Sequence, residues 1–107
     1  VLHRQNLDTV LEQYNIDQLS EPEKAYLNRV WHWLDPWPDV IEGLVRLKER
    51  YIIGTLSNGN ISLIVNMAKH SGLPWDVVLG AEVAGHYKPC PEAYLRSAKT
   101  LGLAPHQ

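Results

Sequence analysis

The chain holds one cysteine, Cys90, among its 107 residues. That excludes an internal disulfide and any cysteine-based zinc site. One unpaired thiol fits a reducing compartment, so the expected location is cytoplasmic. No apolar run approaches the roughly 20 residues of a membrane-spanning helix, and the N-terminus carries no signal-peptide pattern. Charge is nearly balanced, with 10 Lys and Arg against 12 Asp and Glu for a net −2. The basic residues Arg46, Lys48, Arg50, Lys69 and Lys88 are scattered, so neither nucleic acid nor a membrane surface is an expected partner. His3, His32, His70, His86 and His106 show no paired metal-site spacing, and no metal or cofactor is expected. There is no internal repeat and no low-complexity segment. One further absence concerns chemistry: no acidic nucleophile stands on a strand ahead of the polar loop described below.

What is present is helical first. Leu7, Val10, Leu11 and Tyr14 recur at helical spacing, and Asn15 and Asp17 end the run. Ser20-Glu21-Pro22-Glu23 has the form of a capping box, opening a helix with Tyr26, Leu27, Val30, Trp31 and Leu34 on one stripe. Two prolines in Asp35-Pro36-Trp37-Pro38-Asp39 break that helix and mark a boundary. Beyond it the pattern predicts a helix on Val40, Ile41, Leu44 and Leu47, then a strand over Ile52–Leu56. A helix over Ile61–His70 follows, closed by Gly72. Trp75–Leu79 reads as a second strand, and Pro91–Leu101 as a last helix stopped by Gly102 and Pro105. This rhythm of helices and strands is that of a doubly wound α/β unit with parallel strands. Such sheets average about five or six strands, and two are visible, so the sheet reads as incomplete. The start at Val1, partway into a helical pattern, is expected of a fragment.

The chemistry concentrates where the first strand ends. Ser57-Asn58-Gly59 stands at a strand C-terminus, where α/β folds bind ligands, just ahead of a helix. The first N–H groups of that helix and its dipole favour an anion. Ser57 can donate its hydroxyl, Asn58 offers an amide donor and acceptor, and Gly59 lets the backbone turn tightly. A plain strand-to-helix turn has the same composition. Lys88, ahead of Pro89, can bring an ammonium to the same spot, although a solvated loop lysine is the commoner case. Tyr94 can turn its hydroxyl to that pocket or pack on the sheet. His86 lacks a partner carboxylate in sequence, and His32, between Trp31 and Trp33, is expected to pack. Asp35 and Asp39 are expected to cap helices. Trp31, Trp33 and Trp37 either wall an apolar pocket or pack the helical hairpin onto the core, the latter being expected. Nothing in the sequence lowers the Cys90 pKa.

Three segments carry a resemblance: Trp31-His32-Trp33-Leu34-Asp35-Pro36-Trp37-Pro38-Asp39, Thr55-Leu56-Ser57-Asn58-Gly59-Asn60, and Tyr87-Lys88-Pro89 with Tyr94. In order and spacing they resemble the haloacid dehalogenase superfamily, and within it the type II (L-2-haloacid) dehalogenase branch. The likeness runs through nearly the whole chain. It implies a partial Rossmann-like core, residues 35–107, with part of a helical cap, residues 1–34. It implies hydrolytic dehalogenation of a small 2-haloalkanoic acid. An aspartate attacks C2, halide leaves with inversion, and water then hydrolyses the aspartyl ester. By motif position Ser57 holds the substrate carboxylate, with Gly59 in the same binding loop, and Asn58 helps receive the halide. Lys88 stabilises the charge of nucleophile and substrate, and Tyr94 shapes the pocket. A homodimer is the expected assembly.

The same likeness places the nucleophilic aspartate and a halide-binding arginine upstream of Val1, and the last acidic motif beyond Gln107. The chain alone is therefore expected to be inactive. Cys90 also stands where the branch commonly has aspartate. Two alternatives stay open: a phosphatase-type relative using Mg²⁺ held by acidic residues, and a non-catalytic remnant that binds a small anion or self-associates through its open sheet edge.

Overall fold

The first third of the chain folds as a hairpin of two helices. In the computed structural model, which describes residues 2–106, α1 spans Leu2–Gln13 and α2 spans Glu21–Arg29. Val1 and Gln107, the outer ends of the expected cap and core portions, lie outside the described residues. Asn15 takes a left-handed φ of 54°, which ends α1 at low cost for an asparagine. At the start of α2 the Glu23 carboxylate accepts from both the Ser20 N–H (2.8 Å) and its hydroxyl (2.6 Å). The hydroxyl first, then the N–H, hold the Glu23 pKa below the usual carboxylate range. Arg4 ties the two helices, bonding Asp8 one turn on (2.8 Å) and Glu21 across the hairpin (2.7 Å).

The helix expected to continue to Leu34 stops at Arg29 and tightens into a 3-10 turn, Val30–Trp33. That turn packs on α4 (Ile61–Ser71). Two polar contacts hold it there: His32 with Asn66 at 2.7 Å, and His70 with Asp35 at 3.1 Å. The Ser71 hydroxyl also donates to the Leu34 carbonyl. Asp35 therefore pairs with histidine rather than capping a helix. Asp39 does stand at the N-cap of α3 (Val40–Lys48), yet its side chain makes no capping bond. Of the tryptophans expected to pack the hairpin onto the core, Trp31 and Trp33 stand in the turn that packs on α4, whereas Trp37 departs from that expectation. Trp37 is 79% exposed, Trp31 rests against His3, and Trp33 lies beside Tyr26 and under the Arg29 guanidinium.

β1 (Gly54–Ser57) and β2 (Val77–Gly80) form a two-stranded parallel sheet, with Gly54 opposite Val77 and Ser57 opposite Gly80. Both strands start two residues later than the apolar runs suggest. The preceding residues pair differently: the Asp76 carboxylate accepts from the Ile53 N–H, and the Asp76 N–H donates to the Ile53 carbonyl. Thr55 strengthens the ladder, its hydroxyl donating to the Leu79 carbonyl and accepting from the Leu79 N–H. α4 closes on Gly72 at φ 67°, as its sequence predicts. After β2 come α5 (Ala81–Ala84) and α6 (Pro91–Thr100). Ala84 and Ala93, each 1% exposed, let these last helices approach closely. Leu63, Leu79, Ala81 and Ser97 complete the centre of the core.

Candidate active site

β1 runs out of sheet at Ser57, and the next three residues turn the chain into α4. The Gly59 N–H donates to the Ser57 hydroxyl oxygen (3.0 Å), closing a tight local turn. The Ser57 hydroxyl proton stays available to another acceptor. A Cβ on Gly59 would crowd the Ser57 hydroxyl at 3.2 Å and touch Leu63 at 3.4 Å, so the turn is close-fitting there. Gly80, across the sheet, is more tightly confined. A Cβ on Gly80 would lie 2.7 Å from the Ser57 carbonyl oxygen.

Asn58 reaches across to the loop between α5 and α6. Its Oδ1 accepts from the Lys88 N–H (2.7 Å), and its Nδ2 donates to the Lys88 carbonyl (3.0 Å). A side-chain amide thus pairs with a main chain as a neighbouring strand would, and one Nδ2 hydrogen stays uncommitted. Ser57, Asn58, Gly59 and Lys88 are thereby brought to one end of the sheet. Lys88 is half-buried, and its ammonium makes no ion pair among the described residues. The Cys90 N–H donates to the Tyr87 carbonyl, closing a turn around the cis Lys88–Pro89 bond.

Above this tip lies an open recess of about 400 Å³, lined by Leu2, His3, Asn58, Gly59, Asn60 and Tyr87. Leu2 and His3 come from the start of α1, so the hairpin roofs the strand tip. Neither is legible in the sequence as a site residue, since a helix face carries no sign of the loop it will cover. Tyr94 faces a different hollow, lined by Gly54, Thr55, Leu56, Leu79, Ser97, Ala98 and Leu101 along one face of the sheet.

The sequence predicts open N–H groups at the N-terminus of α4. The first is already partnered by an acid: Glu82, in α5, accepts from the Ile61 N–H at 2.7 Å. A carboxylate is a natural occupant of a helix N-terminus. Ser57 and Lys88, rather than the first N–H of α4, are thus the donors left free for an incoming anion. Glu82 has no signal in sequence, because its partner lies 21 residues away.

The Lys88 loop gathers a second group. His86 Nδ1 lies 3.8 Å from Cys90 Sγ, and the thiol donates to Glu92 Oε2 at 2.6 Å. The Glu92 carboxylate pushes the Cys90 pKa up, and that same hydrogen bond pulls the Glu92 pKa down. His86, Cys90 and Glu92 follow one another at intervals of four and two, the only trace the cluster leaves in sequence.

Comparisons with known proteins bear on the family and the fold. Residues 2–107 match the family of haloacid dehalogenase-like hydrolases. Among solved structures, the chain is similar to the defluorinating L-2-haloacid dehalogenase Rha0230, with 53% identity and a TM-score of 0.90. That match covers 97% of this chain and 43% of the other. The L-2-haloacid dehalogenase PA0810 is 42% identical with a TM-score of 0.90, over 97% of this chain and 45% of its own. The L-2-haloacid dehalogenase from Xanthobacter autotrophicus, solved with chloropropionic acid covalently bound, is 25% identical with a TM-score of 0.82. It is covered over 42% of its length, and this chain over 95%. The chain thus spans less than half the length of the dehalogenases it matches. No curated protein matches the chain.

Proposed function

Because the chain belongs to the haloacid dehalogenase-like hydrolases, we propose that it is the substrate-anchoring part of an L-2-haloacid dehalogenase, with residues 1–34 as cap and 35–107 as core. The observation that carries this reading is the double hydrogen bond from Asn58 to the Lys88 main chain, which holds the Lys88 backbone beside the end of β1. In this reading the Ser57 hydroxyl donates to the carboxylate of a 2-haloalkanoic acid. The Lys88 ammonium balances the charge of that carboxylate and of the attacking one. An aspartate carboxylate from outside these 107 residues forms the bond to C2. The carbon–halogen bond breaks, and halide leaves with the electron pair towards the uncommitted Asn58 amide N–H. Water then adds to the ester carbonyl, releasing the 2-hydroxy acid and regenerating the aspartate. Leu2, His3 and Tyr87 bound the space left for the substrate's alkyl group, and Tyr94 shapes the core behind it. A homodimer in the cytoplasm belongs to the same reading.

A chimera tests it. Residues 2–106 replace the matched segment of the Rha0230 dehalogenase, which supplies the remaining sequence. The chimera is expected to release chloride from L-2-chloropropanoate, and Lys88→Ala is expected to slow the release by about 10²–10³-fold. A folded chimera that releases no chloride from either enantiomer contradicts the proposal. Mg²⁺-dependent hydrolysis of p-nitrophenyl phosphate by the same chimera would favour a phosphatase instead.

A further inference from the structure

Cys90 and its neighbours offer chemistry that dehalogenation does not use. Three donors of different kinds converge on one side of the Lys88 loop: an imidazole nitrogen, a thiol sulfur and a carboxylate oxygen. The ligand atoms of His86, Cys90 and Glu92 all lie within 4.8 Å of one another. We propose that this cluster is a binding site for one soft divalent cation of the Zn²⁺ type, held by His86 Nδ1, Cys90 Sγ and a Glu92 carboxylate oxygen, with the fourth position open to water.

The distances suit that ion. With Zn–S near 2.3 Å and Zn–N near 2.0–2.1 Å, tetrahedral geometry separates sulfur from nitrogen by about 3.5 Å. His86 Nδ1 and Cys90 Sγ stand 3.8 Å apart, so one ion can touch both with little adjustment. The sulfur–oxygen separation of 2.6 Å is that of a hydrogen bond and must open to roughly 3.5 Å when a cation replaces the thiol proton. Glu92 is exposed and can swing that far by side-chain rotation alone. The backbone around the site is already set. The Cys90 N–H is bonded to the Tyr87 carbonyl, and Pro91 starts α6 immediately after the cysteine. Cys90 and His86 are half-buried, which limits the number of positions their donor atoms can take.

The donor set selects the ion. A thiolate with an imidazole favours Zn²⁺, Co²⁺ or copper over Mg²⁺ and Ca²⁺, which prefer oxygen ligands. One feature opposes binding: Arg96, which bonds the Ala84 carbonyl, brings a positive charge near Cys90 and Glu92. The cluster is independent of the dehalogenase reading, but it bears on the same loop. His86 and Cys90 flank Lys88, so a cation bridging them would staple the segment that Asn58 holds from the other side.

The test is titration of the chain with Zn²⁺ against a chromophoric chelator, and with Co²⁺ followed by absorption spectroscopy. One equivalent of Co²⁺ is expected to give a thiolate-to-cobalt charge-transfer band and the visible bands of a four-coordinate ion. Cys90→Ser and His86→Ala are each expected to weaken Zn²⁺ binding at least about tenfold, as loss of one of three ligands should. His70→Ala, which removes a histidine on a different surface, should leave it unchanged. Circular dichroism shows that each variant is folded. Absence of the charge-transfer band, or one-to-one binding that survives His86→Ala, would overturn the site.

Discussion

Asn58 and Lys88, thirty residues apart in sequence, exchange two hydrogen bonds between one side-chain amide and one stretch of main chain. The loop after β1 is thereby fastened to the loop before α6, and the Lys88 main chain is held beside the end of the sheet. Asn58→Ala removes both bonds. Each solvent-accessible bond contributes about 0.5–1.5 kcal/mol, so a loss of about 1–2 kcal/mol in urea unfolding is expected. Asn58→Asp, which keeps the acceptor for the Lys88 N–H, should lose less. Equal stability of wild type and Asn58→Ala would mean that the two bonds do not hold the loops together.

In the proposed reading, the Glu82 carboxylate and the substrate carboxylate are both drawn to the N-terminus of α4. Glu82 occupies the first N–H of α4. Glu82→Gln keeps an acceptor for that N–H but removes a negative charge close to the proposed carboxylate site. In the chimera this change should lower KM for L-2-chloropropanoate several-fold with little change in kcat. Stability should fall only slightly, by about 0.3–1 kcal/mol, as the helix-dipole interaction weakens. A KM that stays constant or rises would show that the Glu82 charge is not felt by the substrate.

The pairing of Asp76 with Lys48 (2.6 Å) and with the Ile53 N–H (2.9 Å) makes part of the stability pH-dependent. Lys48 first, then the Ile53 N–H, depress the Asp76 pKa below its ordinary value. A carboxyl with a lowered folded-state pKa stabilises the fold above its unfolded pKa, near 3.9. That contribution disappears as pH falls through the folded-state value. Asp76→Asn should therefore be less stable than wild type at pH 7, and the gap should close below about pH 4. Urea midpoints measured from pH 7 down to pH 3 check this. A gap that widens on acidification would have the wrong sign.

Gly80 faces the Ser57 carbonyl so closely that any side chain meets backbone, which cannot swing away. Gly80→Ala should cost about 1–3 kcal/mol, in the range of overpacked cores, and should displace the tip that carries Ser57. Gly43, in α3, is the control: a Cβ there would have nothing within 4 Å, so Gly43→Ala should stabilise the helix. Urea midpoints of the two variants check the pair. A Gly80→Ala protein as stable as Gly43→Ala would contradict the close approach of β2 to the Ser57 carbonyl.

What the sequence makes legible is local. The capping box at Ser20 and Glu23, the glycine stop at Gly72 and the polar turn at Ser57-Asn58-Gly59 depend on residues a few positions apart. Such spacings fix hydrogen bonds without knowledge of the fold. The two strands are legible but shifted, because an apolar run does not say where ladder pairing begins. Asp76 takes over the pairing at Ile53, 23 residues away, and no periodicity announces it. Glu82 at the α4 N-terminus, Asp35 with His70, and His3 over the strand tip are hidden for the same reason. His86, Cys90 and Glu92 are near in sequence, yet only the turn between α5 and α6 brings their donor atoms together.

The most direct test is a double-mutant cycle on Asn58 and Lys88 in the chimera, read as kcat/KM for L-2-chloropropanoate. Lys88→Ala should cost about 10²–10³-fold, the range for removing one preorganised electrostatic partner. Asn58→Ala should cost at least about tenfold, through displacement of the lysine and loss of the amide N–H proposed to receive the halide. If Asn58 acts mainly by positioning Lys88, the double variant will lose far less than the product of the two. Independent losses that multiply would contradict that account.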